Sequence, residues 1–343
     1  MPVLRSVVVL VALLLSFLPA GGRSITDAAG RVVEIPDKVE RVLAAGPPAS
    51  VLVYVLAPEK LAGWVREPKA EEKAFLLPAV RDLPVFGQLT GKGGTANIEA
   101  VLAAKPDIII DVGTVNPTYA SLADKVQAQT GIPYVLIDGR FSATSASLKL
   151  AGNLLGHAER AATLTAYAEA SFVMVDRVLA RVPADRRPRV YLARGAEGLE
   201  TGSRGSINTE IIERAGAVNV AQGLGGSGNI SNASLEQIIA WQPDIVVTLD
   251  RTFFANVKTK PGWNQVRAVA NNRVHLAPSL PWGWIDAPPS LNRLIGLRWL
   301  LSLFYPAQAG LDLRAETRGF YRLFYGVDVT DAQLAQLLGG TAN

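Results

Sequence analysis

Arginine residues follow several predicted strands, at the position where ligands bind in open α/β sheets. These arginines are Arg66, Arg140, Arg194 and Arg251. Guanidinium groups bind planar or multidentate anions through paired hydrogen bonds. For any one of them, a surface ion pair is the competing interpretation. Because all four come after apolar strand-like segments, we expect them to line one cationic cleft.

Tryptophan residues lie close to the same positions. Trp64 precedes Arg66, and Trp282 and Trp284 lie in the segment SLPWGWID, which follows the predicted strand RVHLAP. Indole rings supply apolar contact and stacking to a bound ligand. Packing between lobes is the alternative role for one of the last two. The sequence therefore predicts a ligand site made of the four arginines and these three tryptophans.

Composition excludes several kinds of chemistry. The chain of 343 residues contains no Cys and only two histidines, His157 and His275. Disulfides, thiolate metal sites and Cys nucleophiles are therefore excluded, as is a metal site built of imidazoles alone. The formal charge of +4 and the lack of a Lys/Arg run argue against nucleic-acid binding. We expect no cofactor and no metal bound directly by the protein.

The N-terminus has the order of a secretory signal. Arg5 precedes an apolar run from Val7 to Leu18, and small residues follow around Ala20. The run is shorter than the ~20 residues that span a bilayer. We predict a signal peptide over residues 1–23 and a periplasmic protein, with an uncleaved anchor as the alternative. The lack of Cys argues against a lipoprotein.

Strand-like and helix-like segments alternate through the rest of the chain, which is typical of an α/β fold with mostly parallel sheets. The length suggests two domains. We predict an N-terminal lobe over residues 24–142 and a C-terminal lobe with terminal helices over 183–343. One long helix over residues 143–182, either continuous or broken near Gly156, would join them. Two ordinary helices with a tight turn are the alternative.

An internal repeat supports two similar lobes. Residues 96–111 (ANIEAVLAAKPDIIID) match residues 233–248 (ASLEQIIAWQPDIVVT) in register. Pro-Asp ends each helix and begins the turn into a strand. The shared glutamates, Glu99 and Glu236, are not needed for that connection. As first-turn residues they also favour the positive end of a helix dipole.

The chain resembles the periplasmic substrate-binding proteins of ABC importers for iron–siderophore complexes and vitamin B12. The resemblance rests on the two repeats, on the long connecting helix, and on two segments, TDAAGRVVEIPDKVERVLAAGP near the start and RVHLAPSLPWGWIDAPPSLNRLIGLRWL near the end. The resemblance spans residues 25 to about 305. It implies two α/β lobes bridged by a rigid helix, with the ligand between them and no enzymatic activity. It also implies that Glu99 and Glu236 dock onto an ABC permease in the membrane.

The identity of the ligand stays open. The predicted cleft of Arg and Trp favours an anionic ferric siderophore, bound by a monomer. The resemblance also allows haem, cobalamin, nickel chelates, or an oxyanion such as molybdate or tungstate, for which TGSRGS (201–206) offers hydroxyl donors. A secreted two-lobed enzyme, using Asp111, Asp138 or Asp286 as its acid, is the hypothesis from another class.

Overall fold

The computed structural model describes residues 22–91, 97–224 and 230–339. Residues 1–21 of the predicted signal lie outside these ranges, whereas Gly22 and Arg23 begin the first strand. The Arg23 guanidinium donates to the carbonyl oxygens of Asn153 (3.0 Å) and Leu154 (3.2 Å). The predicted boundary at residue 23 therefore falls inside a strand that contacts the folded lobe. Within the described ranges, no helix has the length and hydropathy required to cross a membrane.

The described strands form two parallel sheets and two small antiparallel pairs. Their order is β3-β4-β5 in one parallel sheet and β11-β10-β6-β8 in the other, while β1 pairs with β2 and β7 with β9. In chain order they are β1 (Gly22–Thr26), β2 (Val32–Pro36), β3 (Val42–Ala44), β4 (Ile108–Gly113), β5 (Tyr134–Asp138), β6 (Arg189–Ala193), β7 (Glu200–Gly202), β8 (Val218–Asn219), β9 (Ile230–Asn232), β10 (Ile245–Thr248) and β11 (Val274–Leu276).

Helices cover both parallel sheets and continue after the last strand. A turn of π-helix, Tyr321–Tyr325, lies between the final two helices. In chain order the α-helices are α1 (Pro47–Leu56), α2 (Ala70–Lys73), α3 (Ile98–Ala103), α4 (Pro117–Thr130), α5 (Thr144–Leu155), α6 (Ala158–Leu179), α7 (Glu210–Arg214), α8 (Leu235–Trp241), α9 (Arg251–Asn256), α10 (Arg267–Ala270), α11 (Arg293–Phe304), α12 (Pro306–Ala309), α13 (Leu313–Phe320) and α14 (Asp331–Leu338).

The predicted α/β fold of two lobes is confirmed, and each parallel sheet is buried on both faces. In β4, Ile108 and Ile110 join the core that both lobes share, whereas Ile109 packs on the other face of the sheet. This follows from the alternation of side chains along a strand. The apolar segment before Arg66, residues 61–65, does not form the strand expected there. It forms only isolated bridges, because the chain there crosses from the edge of β3 to the segment around Pro84.

The internal repeat is reproduced in three dimensions. Lys105 and Gln242, at equivalent positions, both adopt a left-handed conformation with φ of 43° before Pro-Asp. The Asp107 carboxylate accepts from the backbone N–H of Arg41 (2.8 Å), and the Asp244 carboxylate accepts from that of Arg189 (2.9 Å). In each lobe, the repeated Asp therefore fixes the start of the neighbouring strand.

The segment between the lobes contains two helices instead of one over residues 143–182. The chain turns at Gly156, whose φ of 72° ends α5, and α6 then runs for 22 residues as the long helix. A left-handed Gly is a common helix terminator because it lacks a Cβ. Gly152 on α5 contacts Ala161 on α6 so closely that a Cβ at Gly152 would overlap it. The two helices therefore pack against each other as a hairpin.

The C-terminal helices make a further contact with the N-terminal lobe. The Tyr54 hydroxyl on α1 donates to the carbonyl oxygen of Tyr325 (2.7 Å), and the rings of Phe75 and Tyr321 lie 5.8 Å apart. One hydrophobic core runs from both lobes through α6 and α11 to α14. The end of the predicted C-terminal lobe therefore packs on both lobes, in addition to the α5–α6 connection.

Candidate ligand-binding cleft

A cavity of about 840 Å³ lies between the two lobes. Its walls come from segments that follow the carboxyl ends of strands: Pro47 after β3, Thr114 after β4 and Arg194 after β6. The loop 281–289, which follows β11, closes it from the C-terminal lobe. This is the position expected for a ligand in an open α/β sheet.

An aromatic cluster forms one wall. Trp64 and Trp282 both line the cavity, with ring centroids 6.4 Å apart. Tyr325 and Tyr54 support Trp282 from behind, each at 5.1 Å in edge-to-face geometry. The Trp64 indole donates to the carbonyl oxygen of Val80 at 2.7 Å. Because Trp64 is 3% and Trp282 8% exposed, the cluster presents only limited ring surface to a ligand.

Arg66 reaches the cavity with a carboxylate already bound. Its two terminal nitrogens donate to the two oxygens of Glu72, each at 2.7 Å. Glu72 also accepts from the backbone N–H of Lys69 (2.8 Å), which fixes the carboxylate at the start of α2. The hydrogen bond to Glu72 raises the pKa of Arg66, which therefore stays charged. The pair as a whole is neutral.

Arg194 is held in the same way from the C-terminal lobe. It forms an ion pair with Asp286, which is buried and also lines the cavity. The Asn208 amide donates to both oxygens of Asp286, at 3.0 and 3.1 Å. Burial lowers the pKa of Arg194. Each lobe thus presents one guanidinium–carboxylate pair to the cavity, so the expected excess of positive charge is absent from these walls.

Asp111 is the remaining acid of the wall. It lies near the end of β4, where its oxygens accept from the hydroxyls of Thr90 (3.0 Å) and Tyr134 (3.2 Å). Burial raises the pKa of Asp111 above its usual range, although both hydroxyls act in the opposite direction. The sequence indicated Asp111 only as an acid for a hypothetical enzyme. Its place at the end of a buried strand was the signal for a cavity position.

Three predicted ligand residues lie outside this cavity. Arg140 is exposed and paired with Asp138. Arg251 begins α9 and lines a separate cavity of about 450 Å³ beside Leu276 and Leu337. Trp284 is fully buried, and its indole donates to the Tyr321 hydroxyl at 3.2 Å. The structure therefore brings together Trp64, Arg66, Arg194 and Trp282, and not these three.

No residue of the segment TGSRGS, considered as a source of oxyanion donors, is among the residues that line the cavity, although the next two residues, Ile207 and Asn208, are. Thr201 and Ser206 are buried. The Ser206 hydroxyl bonds Asn208 Oδ1 at 3.3 Å, and the Ser203 carbonyl accepts from Thr209. Within the described ranges, no group of three or more His, Cys, Asp or Glu side chains is placed to hold a metal ion.

Glu99 and Glu236 occupy equivalent surface positions on the two lobes. Each lies exposed in the first turn of its helix, α3 or α8. Asn97 caps α3 by accepting from Ala100 N (2.6 Å), and Ser234 caps α8 by accepting from Gln237 N (3.2 Å). Glu236 also takes part in its cap, because hydrogen bonds from its own backbone N–H and from the Ser234 side chain lower the pKa of its carboxyl group. The docking role of both glutamates stays a prediction.

Sequence reasoning missed several other contacts in and beside the cleft. Ser50 and Asn208 line the cavity, and the buried Ser50 hydroxyl has no hydrogen-bond partner within the part of the chain that the structure describes. Behind the cleft, Arg293 is fully buried and bonds Glu210 at 2.7 Å. An Arg near the start of a strongly apolar helix, as in SLNRLIG, was the available signal for this buried pair.

Residues 56–280 match the Periplasmic binding protein family. The chain is 25% identical to the molybdate-binding protein MolA of Haemophilus influenzae, over 91% of this chain and 93% of that protein. It is 29% identical to a cobalamin-binding protein of Halobacterium salinarum, over 65% of this chain and 57% of that one.

A solved structure extends the likeness to the whole fold. An ABC transporter solute binding protein from Sulfurospirillum deleyianum superposes with a TM-score of 0.84 and 28% identity, covering 92% of this chain and 99% of that one. The family match, which covers more than half of the chain, includes β4 to β11 and most of the cavity wall. The chain therefore belongs to the periplasmic binding protein family.

Proposed function

We propose that this protein is the extracytoplasmic solute-binding protein of an ABC importer, and that its ligand is an organic metal chelate of low net charge, such as a ferric siderophore. The observation that carries this proposal is the interlobe cavity of about 840 Å³, walled by Trp64 and Trp282 and by two neutral guanidinium–carboxylate pairs. Binding and delivery, without bond chemistry, constitute the whole mechanism.

The size of the cavity favours an organic ligand. Sites for drug-sized molecules occupy roughly 300–1,000 Å³ and are lined mainly by apolar and aromatic groups with a few polar contacts. The cleft fits that description, since Trp64, Trp282 and the prolines of loop 281–289 surround a few hydrogen-bonding side chains. A bare ion would leave most of this volume to water. Cobalamin, haem and nickel chelates belong to the same physical class.

The charges of the cleft favour a ligand of low net charge. Arg66 and Arg194 are each neutralised by a carboxylate, and Asp111 adds a further acid. A polyanionic chelate would need unpaired cations in the wall to offset its loss of hydration. The paired guanidiniums still have N–H groups that can donate to carbonyl or hydroxamate oxygens. The proposal therefore keeps the chelate that the sequence suggested and changes its expected charge.

An oxyanion such as molybdate is the second candidate, since a relative named for molybdate binding matches most of the chain. Among the described residues, the Nε of Arg194 and the Ser50 hydroxyl have no hydrogen-bond partner, and both would suit an anion. However, α1 points its N-terminus at the cavity with Pro47 and Pro48, which have no N–H, and the Ser50 N–H bonds Gly46 O at 3.1 Å. This helix end lacks most of the donors that usually bind anions.

Delivery would use the surface positions of the repeat. With the protein loaded, Glu99 and Glu236 would contact cationic residues of the membrane permease, one from each lobe. The family assignment supports an extracytoplasmic location. We propose that the protein acts as a monomer, since the cavity walls come from both lobes of one chain.

Titration of tryptophan fluorescence, checked by native mass spectrometry, tests this proposal. The ligands would be a ferric trihydroxamate, cyanocobalamin, haemin and sodium molybdate. We expect one chelate to bind at 1:1 stoichiometry and to quench the fluorescence. The quenching should diminish in Trp282→Phe. It should persist in the control Trp241→Phe, because Trp241 lies on α8 and is not among the residues that line the cavity. Stoichiometric binding of molybdate alone would favour the second candidate.

A further inference from the structure

Asp111 occupies a distinct place in the cavity wall. Its strand neighbours Ile110 and Val112 face the core that both lobes share, so alternation turns Asp111 toward the opposite face, where Tyr134 lies. There its carboxyl group accepts hydrogen bonds from Thr90 and Tyr134, and the residue is 5% exposed. It nevertheless lines the cavity, because β4 ends where the cavity begins.

Among the described residues of the cleft, no cation contacts Asp111. The two guanidiniums of the wall are engaged by Glu72 and Asp286, and among the described residues Asp111 has only neutral donors. The two hydroxyls, with the backbone N–H of Val112, fill about three of the four lone-pair positions of a carboxylate. The remaining acceptor position is therefore available to a ligand.

A buried carboxylate that meets only neutral donors is costly, and a ligand donor would offset part of that cost. We propose that Asp111 determines specificity by accepting a hydrogen bond from an amine or amide donor on the ligand. The same carboxylate disfavours ligands that present negative charge to this wall. This inference rests on the proposed function, because it concerns the same cleft and deepens the choice between a chelate and an oxyanion.

Two predictions of opposite sign follow from this assignment. Asp111→Asn keeps the size of the side chain and removes its charge, so a chelate bearing an amine should bind about 10- to 100-fold more weakly, the range for loss of a charge-assisted hydrogen bond. Molybdate should bind more tightly to the same variant, because the repulsion is gone. A purely structural role would weaken both ligands alike.

The experiment is isothermal titration of the full chain with a ferric trihydroxamate that carries a free amine, and separately with molybdate. Asp124→Asn is the matched control, since Asp124 is an exposed acid of the same lobe that pairs with Arg31. It should leave both affinities within about twofold. Urea midpoints for all variants would show whether each is folded.

Tyr134→Phe provides a second variant if Asp111→Asn does not fold. It removes one hydroxyl from Asp111 and keeps the charge, so the preference for the amine-bearing chelate should persist or increase. Equal affinities in the wild type, Asp111→Asn and Asp124→Asn would overturn the assignment while leaving the proposed function intact. If the wild type binds only molybdate, the proposed function fails, and Asp111 is then judged by whether Asp111→Asn strengthens that binding.

Discussion

Replacement of Arg293 by Met tests how the two lobes are held together. Arg293 begins α11 of the C-terminal lobe and is 1% exposed. It donates to Glu210 on α7 (2.7 Å) and, across the lobes, to the carbonyl oxygen of Gly139 after β5 (2.7 Å). Glu210 accepts in turn from the backbone N–H of Phe141 at 2.6 Å. The pair therefore bonds both lobes at the floor of the cleft.

The expected cost follows from these contacts. Met fills much of the volume of the Arg stem but leaves Glu210 without its cation and Gly139 without its donor. Removing one partner of a buried ion pair destabilises a protein by about 3–5 kcal/mol, because the other charge stays buried. The guanidinium also lies 4.8 Å from the centroid of the Phe141 ring, a contact that Met would lose. We therefore expect Arg293→Met to lower the free energy of unfolding by about 3–5 kcal/mol.

Urea unfolding, followed by circular dichroism, measures this change. Arg140→Met is the control, because Arg140 is the residue next to Gly139, which Arg293 contacts, and pairs with Asp138, yet its side chain is 67% exposed. An exposed pair contributes roughly 0–1 kcal/mol. The double variant with Glu210→Met should recover part of the loss, since it also removes the stranded charge. Equal unfolding free energies for Arg293→Met and Arg140→Met would refute the reasoning.

Because the chain has no Cys, labels can be placed on Glu99→Cys and Glu236→Cys without background. Spin-label distances between these positions should form one narrow distribution in the wild type and a broader one in Arg293→Met. An unchanged distribution, together with a large loss of stability, would show that Arg293 stabilises the fold without setting the separation of the lobes.

Three further predictions follow. Combining Glu99→Ala with Glu236→Ala should abolish uptake in cells and leave ligand affinity unchanged by titration; lower affinity would contradict a docking role. Gly296→Ala should destabilise the protein by at least about 1–3 kcal/mol in urea unfolding, because its Cβ would overlap the carbonyl oxygen of Trp284. Burial lowers the pKa of His275 below the ordinary histidine value of 6.5. The stability that neutral His275 contributes is therefore fully present above pH 6.5 and is lost as the pH falls below it. In His275→Gln, unfolding free energy should vary less with pH below 6.5, and an unchanged slope would contradict that role.

The α/β fold and the repeat could be predicted because their signals are local. Buried parallel strands appear in the sequence as short runs of apolar residues. The Pro-Asp pair indicates the same helix-to-strand turn in both lobes. The break at Gly156 was an open alternative for the same reason, since a Gly in a helical pattern either continues or ends the helix. The contact of the C-terminal helices with the N-terminal lobe had no local signal, because Tyr54 and Tyr325 are far apart in sequence.

Side-chain direction limited the prediction of the site. Trp282 and Trp284 are separated by one residue, yet Trp282 lines the cavity and Trp284 is buried against Tyr321. Their loop has no regular period from which orientation could be deduced. Arg251 follows a strand as Arg194 does, but it begins a helix that turns it toward another cavity. The position of a residue after a strand therefore predicts the edge of the sheet and not the cavity that the side chain reaches.

The charge of the cleft is a tertiary property, and it changes what the arginines imply. Arg66 forms an ion pair with Glu72, which is close in sequence, whereas Arg194 forms an ion pair with Asp286, which lies in a loop distant in sequence. Counting arginines after strands overestimates the positive charge, because each guanidinium that reaches the cavity brings a carboxylate. Buried guanidiniums without such partners would be unfavourable before ligand arrives. A cleft whose guanidiniums are already paired when it is empty selects ligands by shape and by individual hydrogen bonds, and we therefore expect Asp111 to influence specificity more than the paired arginines do.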